Sequence, residues 1–260
     1  MPATELEDAR AAATGAAAKD VYVRDMFSAI APRYDLLNHW LSLNLDRSWR
    51  RRAIRALNIE RAPAGCYLDL CAGTLDVAAM ISHWPGFTGS VVGADFAEPM
   101  LRAGMGRPPG RAATGHRGEP KDTTGRVAPV AADALALPIA DNTMAGAIVA
   151  FGIRNVANVD AALREAFRVL EPGARFVILE FTTPPNPVYR FGYHLYLHHV
   201  LPRLGRLVSG HASAYSYLPI SVSSFAAPAV LAMQMQAAGF RDVHWGMMML
   251  GSVALHRGVK

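Results

Sequence analysis

Cys66-Tyr67-Leu68-Asp69-Leu70-Cys71-Ala72-Gly73-Thr74-Leu75-Asp76 is the stretch whose reading decides the fold of this chain. An apolar run carrying one acidic residue leads into a small-residue turn. Thr74 then opens the apolar-periodic segment Val77 to Ile81. A buried parallel strand followed by a tight turn into a helix leaves this pattern. Ala72 and Gly73 allow a ligand to approach the backbone, and Thr74 or Asp76 is placed to cap the first helical amides. Open α/β sheets bind ligands at such an edge, outside the carboxyl ends of their strands. An ordinary strand–turn–helix without a ligand reads the same way from this stretch alone.

A dinucleotide loop follows G-x-G-x-x-G, so that a pyrophosphate can sit on the helix N-terminus. This turn has one glycine, and Leu75 stands where a further one is expected. That argues against a phosphate cradle, and with it against a nicotinamide-dependent oxidoreductase. A nucleoside cofactor without phosphate, such as S-adenosylmethionine, asks less of the loop.

Outward from the turn, Ser90 to Ala94 is a second apolar run that closes on Asp95. An acidic residue there is placed to accept hydrogen bonds from ribose hydroxyls, and it can equally cap a helix over Pro99 to Ala103. Val127 to Ala132 reads as a third strand ending at Asp133-Ala134, and Met144 to Phe151 as a fourth, followed by Gly152-Ile153-Arg154-Asn155. Ala161 to Leu170 is helical, and Glu171-Pro172-Gly173 turns the chain into a fifth strand, Arg175 to Phe181. Regular βα alternation implies right-handed crossovers and a doubly wound, mostly parallel α/β sheet. Its carboxyl rim gathers Asp69, Gly73, Asp95, Asp133, the segment 151–155 and Glu180.

Upstream, Val21 to Leu57 is expected to form two or three short helices broken at Pro32. Tyr34 and Asn38 sit at the break, where they can face a ligand; a helix cap at Asp35 is the plainer reading. Pro184 to Ser224 breaks the alternation with an aromatic, basic insertion. Ala229 to Ala238 is a last helix, and Asp242 to Trp245 with Ser252 to His256 a closing antiparallel hairpin. The expected organisation is one domain over 21–260, a surface loop at 105–126, an insertion at 184–224, and a frayed or disordered tail at 1–20.

The 260 residues suffice for one large α/β domain, and a hydrophobic content of 52% supports a substantial core. Net charge is +5, with much of the basic excess in Arg47 to Arg55 and Arg107 to Arg126. It forms no stripe interleaved with aromatics, so nucleic acid is not the expected partner; an anionic membrane surface explains the excess equally well. Cys66 and Cys71 read as buried thiols, which fits a reducing, cytoplasmic setting. The tail lacks the apolar core of a signal peptide, and no apolar run reaches the length of a membrane span. His194 and His198 are spaced as a helix could hold a metal, with His199 adjacent, but no third ligand accompanies them, and no metal site is expected.

Several motifs together resemble one family. They are Tyr34-Asp35-Leu36-Leu37-Asn38 with Leu41-Ser42 and Trp49, the turn Asp69 to Asp76, Phe151-Gly152-Ile153-Arg154-Asn155-Val156, Arg168-Val169-Leu170-Glu171-Pro172-Gly173, and Ala254-Leu255-His256-Arg257-Gly258. Over about Val23 to Gly258 the chain resembles the ubiquinone/menaquinone biosynthesis C-methyltransferases. The resemblance implies a class I S-adenosylmethionine-dependent fold and methylation of a ring carbon in a polyprenyl hydroquinone, demethylmenaquinol foremost and a benzoquinol as the alternative. It implies that Thr74 lines the methionine end of the cofactor, Asp95 its ribose, and Asp133 with Ala134 its adenine. Ala150 stands where the family often has serine. Ala72 and Leu75 replace glycines, Ala174 replaces the second glycine after Pro172, Ile220 stands where glutamate is common, and the loop 105–126 is long for the family.

A quinol carbon attacks a sulfonium methyl only once the adjacent hydroxyl is losing its proton, so the site must align the partners and stabilise the oxyanion. Arg154 and Asn155 are the candidates for that task, with His194 or Tyr217 as a proton relay. A structural ion pair with a rim carboxylate is the alternative for Arg154. The expected setting is cytoplasmic, peripheral to the inner membrane face, with a homodimer as a further candidate partner. A catalytically silent scaffold in quinone biosynthesis is the rival that Leu75 keeps open.

Overall fold

The computed structural model describes residues 11, 19–31, 45–106, 126–196 and 212–260, with backbone alone at 212–216. Tyr34 and Asn38, residues 107–125, His198, His199, Arg203, Arg206 and nearly all of the tail 1–20 lie outside the described residues.

The strands are β1 (Cys66–Leu70), β2 (Ser90–Asp95), β3 (Val127–Ala131), β4 (Met144–Ala150), β5 (Leu170–Phe181), β6 (Arg241–Met248) and β7 (Val253–Val259). They form one seven-stranded sheet in the order β3-β2-β1-β4-β5-β7-β6. The first five are mutually parallel, and β7 inserts antiparallel between β5 and β6. The helices are α1 (Lys19–Ile30), α2 (Leu45–Leu57), α3 (Asp76–Ser82), α4 (Glu98–Met105), α5 (Val159–Val169), α6 (Pro187–Leu195), α7 (Ala212–Ser224) and α8 (Pro228–Ala237).

Both faces of the central strands are covered, which is why β1 and β4 read as continuous apolar runs rather than alternating ones. On one face Trp49, Ile54 and Leu57 of α2, Val77 and Ile81 of α3 and Leu101 of α4 pack on Tyr67, Ile148 and Val177. On the other, Leu163, Ala166 and Val169 of α5 with Leu231 and Met235 of α8 pack on Leu68, Leu70 and Phe176. Successive residues of β1 therefore serve opposite layers, Tyr67 one and Leu68 the other. α1 and α7 form a smaller apolar cluster from Val23, Met26, Ile30 and Tyr217, joined by Tyr193 of α6. α7 rests on the short 3-10 turn Ile153–Asn155 that follows β4, so the cluster lies above the carboxyl rim.

Two expectations change. α1 starts at Lys19, two residues before the expected Val21. β5 starts at Leu170, with Glu171-Pro172-Gly173 inside it: Met144 pairs with Leu170 and Gly146 with Arg175, so the extra residues form an irregularity within the strand. Pairing with β4 resumes at once on either side, so the turn residues bend the strand without ending it.

Leu75, the least glycine-like residue of the decisive turn, takes a left-handed conformation at φ 62° and is buried. Its side chain enters the core between β2 and α4. A Cβ on Gly93 would stand 2.4 Å from Leu75 Cδ2, and one on Gly104 would stand 3.2 Å from Leu75 Cγ. Two glycines thus make room for the leucine. Left-handed backbone costs a non-glycine residue about 1–2 kcal/mol, whereas emptying a buried leucine site costs about 2–5 kcal/mol. Leu75→Gly should therefore lose net stability, on the order of 2 kcal/mol, visible as a lower urea midpoint.

Candidate functional site

The turn after β1 is held from below. Asp69 is fully buried at the end of the strand, and its Oδ2 accepts from the Ala78 amide at 2.9 Å. Asp69 thus caps the Ala78 amide in the first turn of α3. Asp76 is engaged by Arg50 of α2, whose Nη1 stands 3.3 Å from its Oδ2. Burial pushes the Asp69 carboxyl up to about 7, with the Ala78 amide and Arg50 opposing and Asp95 and Asp76 reinforcing. The fold thus favours the neutral acid, and that stability, complete below the unfolded carboxyl range, is lost as pH rises toward 7. Asp69→Asn keeps an acceptor for Ala78 and removes the titration, so urea midpoints taken from pH 4 to 8 should decline less in the variant than in the wild type.

Above the turn, Asp95 closes β2 and is 7% exposed. Its Oδ2 accepts from Gly73 N at 2.8 Å and its Oδ1 from Ala97 N at 2.8 Å. The left-handed Gly73 (φ 53°) aims its amide at the carboxylate. Burial raises the Asp95 carboxyl, and the Ala97 and Gly73 amides counter it. Each oxygen keeps a further lone pair for a hydroxyl donor. Asp133 lies past β3 and accepts from the Leu135 amide at 2.9 Å, which fixes the Ala132–Ala134 backbone at the rim.

These groups border one cleft of about 1050 Å³, counted to its open mouth. Gly73, Asp95, Asp133, Ala134, Ala150 and Asn155 all line it. Asn155 is buried, and its Oδ1 has no hydrogen-bond partner among the described residues. Phe151 lines it too, in a left-handed conformation at φ 63° that a bulky residue rarely adopts. Its ring packs on Phe181 at 4.5 Å between centroids, with Trp49 edge-on to both.

Five sequence candidates fall outside this cleft. Asp69 and Thr74 are buried beneath the turn, where Asp69 caps α3 and the Thr74 carbonyl backs onto Gly104 of α4. Arg154 points away from the cleft into a buried ion pair, its Nη1 2.6 Å from Glu180 Oε1 and 2.7 Å from the Phe151 carbonyl. Glu180 also accepts from the Arg154 and Phe181 amides. The ion-pair alternative for Arg154 is therefore the one the geometry displays. His194 is half-buried on α6, and Tyr217 belongs to the apolar cluster above the rim.

Other lining residues had no strong signal. Asp20, Val21, Arg24 and Phe27 come from α1, and Phe96 and Met100 follow Asp95. Phe96 was readable as the residue after an acidic strand end; the approach of α1 was not, because its stripe of Met26, Phe27 and Ile30 does not name the surface it covers. α1 is fastened there by Lys19, whose Nζ donates to the carbonyls of Arg154 and Val156 at 3.1 and 3.0 Å. Burial lowers its ammonium. Cys66 and Cys71 are free thiols, and no metal-binding cluster occurs among the described residues.

An acidic cleft with apolar walls and, among the described residues, the guanidinium of Arg24 suits a cofactor carrying a sulfonium, an ammonium, a carboxylate and a nucleoside. Comparison with known proteins agrees. The demethylmenaquinone methyltransferase of Thermus thermophilus is 46% identical over 234 residues, covering 90% of this chain and 99% of that one. The ubiquinone/menaquinone biosynthesis C-methyltransferase of Syntrophotalea carbinolica is 42% identical, covering 91% and 93%. The fold matches a SAM-dependent methyltransferase of Thermotoga maritima (TM-score 0.53, 16% identity, 89% and 99% covered). It also matches a Haemonchus contortus phosphoethanolamine N-methyltransferase solved with S-adenosyl-L-methionine (TM-score 0.55, 13% identity, 80% and 52% covered). The profile of one family spans residues 15–260, and with these relatives it shows that the chain belongs to the ubiE/COQ5 methyltransferase family, whose members transfer a methyl group from S-adenosylmethionine.

Proposed function

We propose that this chain methylates a ring carbon of demethylmenaquinol, giving menaquinol. The observation that carries the reading is the juxtaposition of the acidic cofactor cleft with the apolar cluster of α1, α6 and α7 above it. An apolar layer suits a hydrophobic aromatic acceptor as the acidic cleft suits a charged nucleoside.

When bound, S-adenosylmethionine supplies an electrophilic sulfonium methyl group. Asp95 would hold the ribose hydroxyls, Asp133 and Ala134 would border the adenine with Phe96 and Met100 flanking it, and Arg24 would meet the carboxylate. Asn155 lines the cleft, with its amide oxygen buried. The transfer is redox-neutral: a carbon–carbon bond forms, a carbon–sulfur bond breaks with its electron pair going to sulfur, and the displaced ring proton leaves to solvent. What remains for the chain is to hold donor and acceptor in line, exclude water and stabilise the acceptor oxyanion. Methyl-labelled cofactor offered demethylmenaquinol and the benzoquinol precursor side by side tests the reading. Label is expected on the naphthoquinol ring, and label on the benzoquinol alone would reassign the acceptor.

The acceptor's isoprenoid tail belongs in a bilayer, and α6 offers a surface for that contact. Val188, Phe191 and Leu195 are 76%, 74% and 50% exposed, and their spacing sets them on one face of the helix. No single helix among the described residues is long and apolar enough to cross a membrane. Contact is therefore peripheral, as a lid lying on the lipid surface. Phe191→Ser with Leu195→Ser should reduce sedimentation with anionic liposomes and raise KM for a long-tailed quinol several-fold, while turnover of a short-tailed analogue holds. A changed oligomeric state with unaltered liposome binding would instead make this face a contact between copies of the chain.

A further inference from the structure

The apolar cluster above the rim contains two phenols that the cofactor cleft does not use. Tyr217 of α7 is 2% exposed and Tyr193 of α6 is half-buried. Both hydroxyl oxygens are shielded from solvent and lack a hydrogen-bond partner among the described residues. Folded proteins rarely bury a hydroxyl in this way unless a water or a ligand completes it. Val23, Met26 and Ile30 of α1 pack into the same cluster, as do Phe27 and Phe96, which also line the cleft. The two hydroxyls therefore lie in an apolar cluster that shares Phe27 and Phe96 with the wall of the cleft. Arg154 and Glu180 act on both through their charges, and the Tyr22 ring sits 6.0 Å from that of Tyr217.

Burial pushes the Tyr217 phenol up to about 12 and the Tyr193 phenol higher still. Both remain protonated at neutral pH, so they serve as hydrogen-bond donors and not as bases. A phenol that stays protonated suits the task of donating to the acceptor oxygen. Donors held in place in a water-poor site stabilise charge as it develops, and each typically contributes about 10²–10³ in turnover.

We propose that Tyr193 and Tyr217 form a paired donor cradle for the acceptor oxygen on which negative charge develops, beside the guanidinium that Glu180 holds. The proposal rests on the reading of the acceptor as an aromatic ring hydroxyl. Two separate elements, α6 and α7, thereby meet on one oxygen.

The probe for the test is 4-methoxy-1-naphthol, which has one ionisable hydroxyl. Its ionisation, bound to the protein saturated with S-adenosylhomocysteine, is followed by absorbance. Wild-type protein is expected to favour the naphtholate at least tenfold over its proportion in buffer. Tyr193→Phe and Tyr217→Phe should each remove most of that preference, and the double variant all of it. Turnover of the quinol should fall ~10²–10³-fold for each single variant, with S-adenosylmethionine affinity by calorimetry within twofold of wild type. Because each hydroxyl has no hydrogen-bond partner among the described residues, Tm should hold or rise. Equal ionisation in wild type and variants, with the probe bound, would overturn the cradle and leave the acceptor reading standing. A clear loss of Tm in both phenylalanine variants would also overturn it by making the hydroxyls structural. Failure of wild-type protein to bind the probe would remove the acceptor reading and the cradle with it.

Discussion

Asp95→Ala is expected to weaken S-adenosylmethionine binding by about 10²- to 10⁴-fold. Each hydrogen bond from a ribose hydroxyl to a carboxylate contributes roughly 1.5–3 kcal/mol, and two are lost together. The substitution also releases Gly73 N and Ala97 N, the amides through which Asp95 joins the decisive turn to the start of α4. The cofactor site thus loses its ligand contact and its internal brace at once. Tm should fall as well, because two amides lose their acceptor. Asp95→Asn retains one acceptor oxygen and should fall between the two. Calorimetry decides the matter: unchanged affinity in the folded alanine variant would remove Asp95 from the cofactor site.

The second large effect lies in the Arg154–Glu180 pair. Both side chains are buried, and truncating either strands a charge, which costs about 3–5 kcal/mol. Arg154→Met and Glu180→Leu should each lower the urea midpoint accordingly. Replacing the pair together with apolar groups avoids the stranded charge, so the double variant should regain most of the lost stability. Its turnover should stay low, because the guanidinium that stands beside Tyr193 and Tyr217 is gone. Arg154→Lys keeps the charge but not the guanidinium whose Nη1 donates to both the Phe151 carbonyl and Glu180, and should be intermediate in both measures. A double variant restored in both stability and turnover would leave Arg154 with a purely architectural role.

These experiments separate two layers that the motif Phe151 to Val156 compresses into six letters. Its residues alternate between tasks: Phe151, Gly152, Asn155 and Val156 border the cofactor cleft, while Arg154 turns back to Glu180. Lys19 then draws α1 onto the carbonyls of Arg154 and Val156. The apolar cluster and the cleft thus meet at one short segment, and disturbance of either face of it should reach the other.

By itself the sequence determined the α/β class, the order of βα units, the parallel core and the closing hairpin, because period, turn chemistry and apolar runs are local properties. It also placed Gly73, Asp95, Asp133, Ala134, Ala150 and Asn155 at strand ends, and parallel topology alone brings strand ends to one rim. Only the tertiary structure decided which way each side chain at that rim turns. Asp69 faces inward because β1 is buried on both faces, Thr74 is buried where the turn packs on Gly104, and Arg154 leaves the cleft because a buried carboxylate from a strand 26 residues away offers it a partner. The lining by α1 and the presence of Tyr193 and Tyr217 in one apolar cluster were hidden for the same reason. They depend on long-range packing of apolar stripes, and a stripe records that a helix is covered without recording by what.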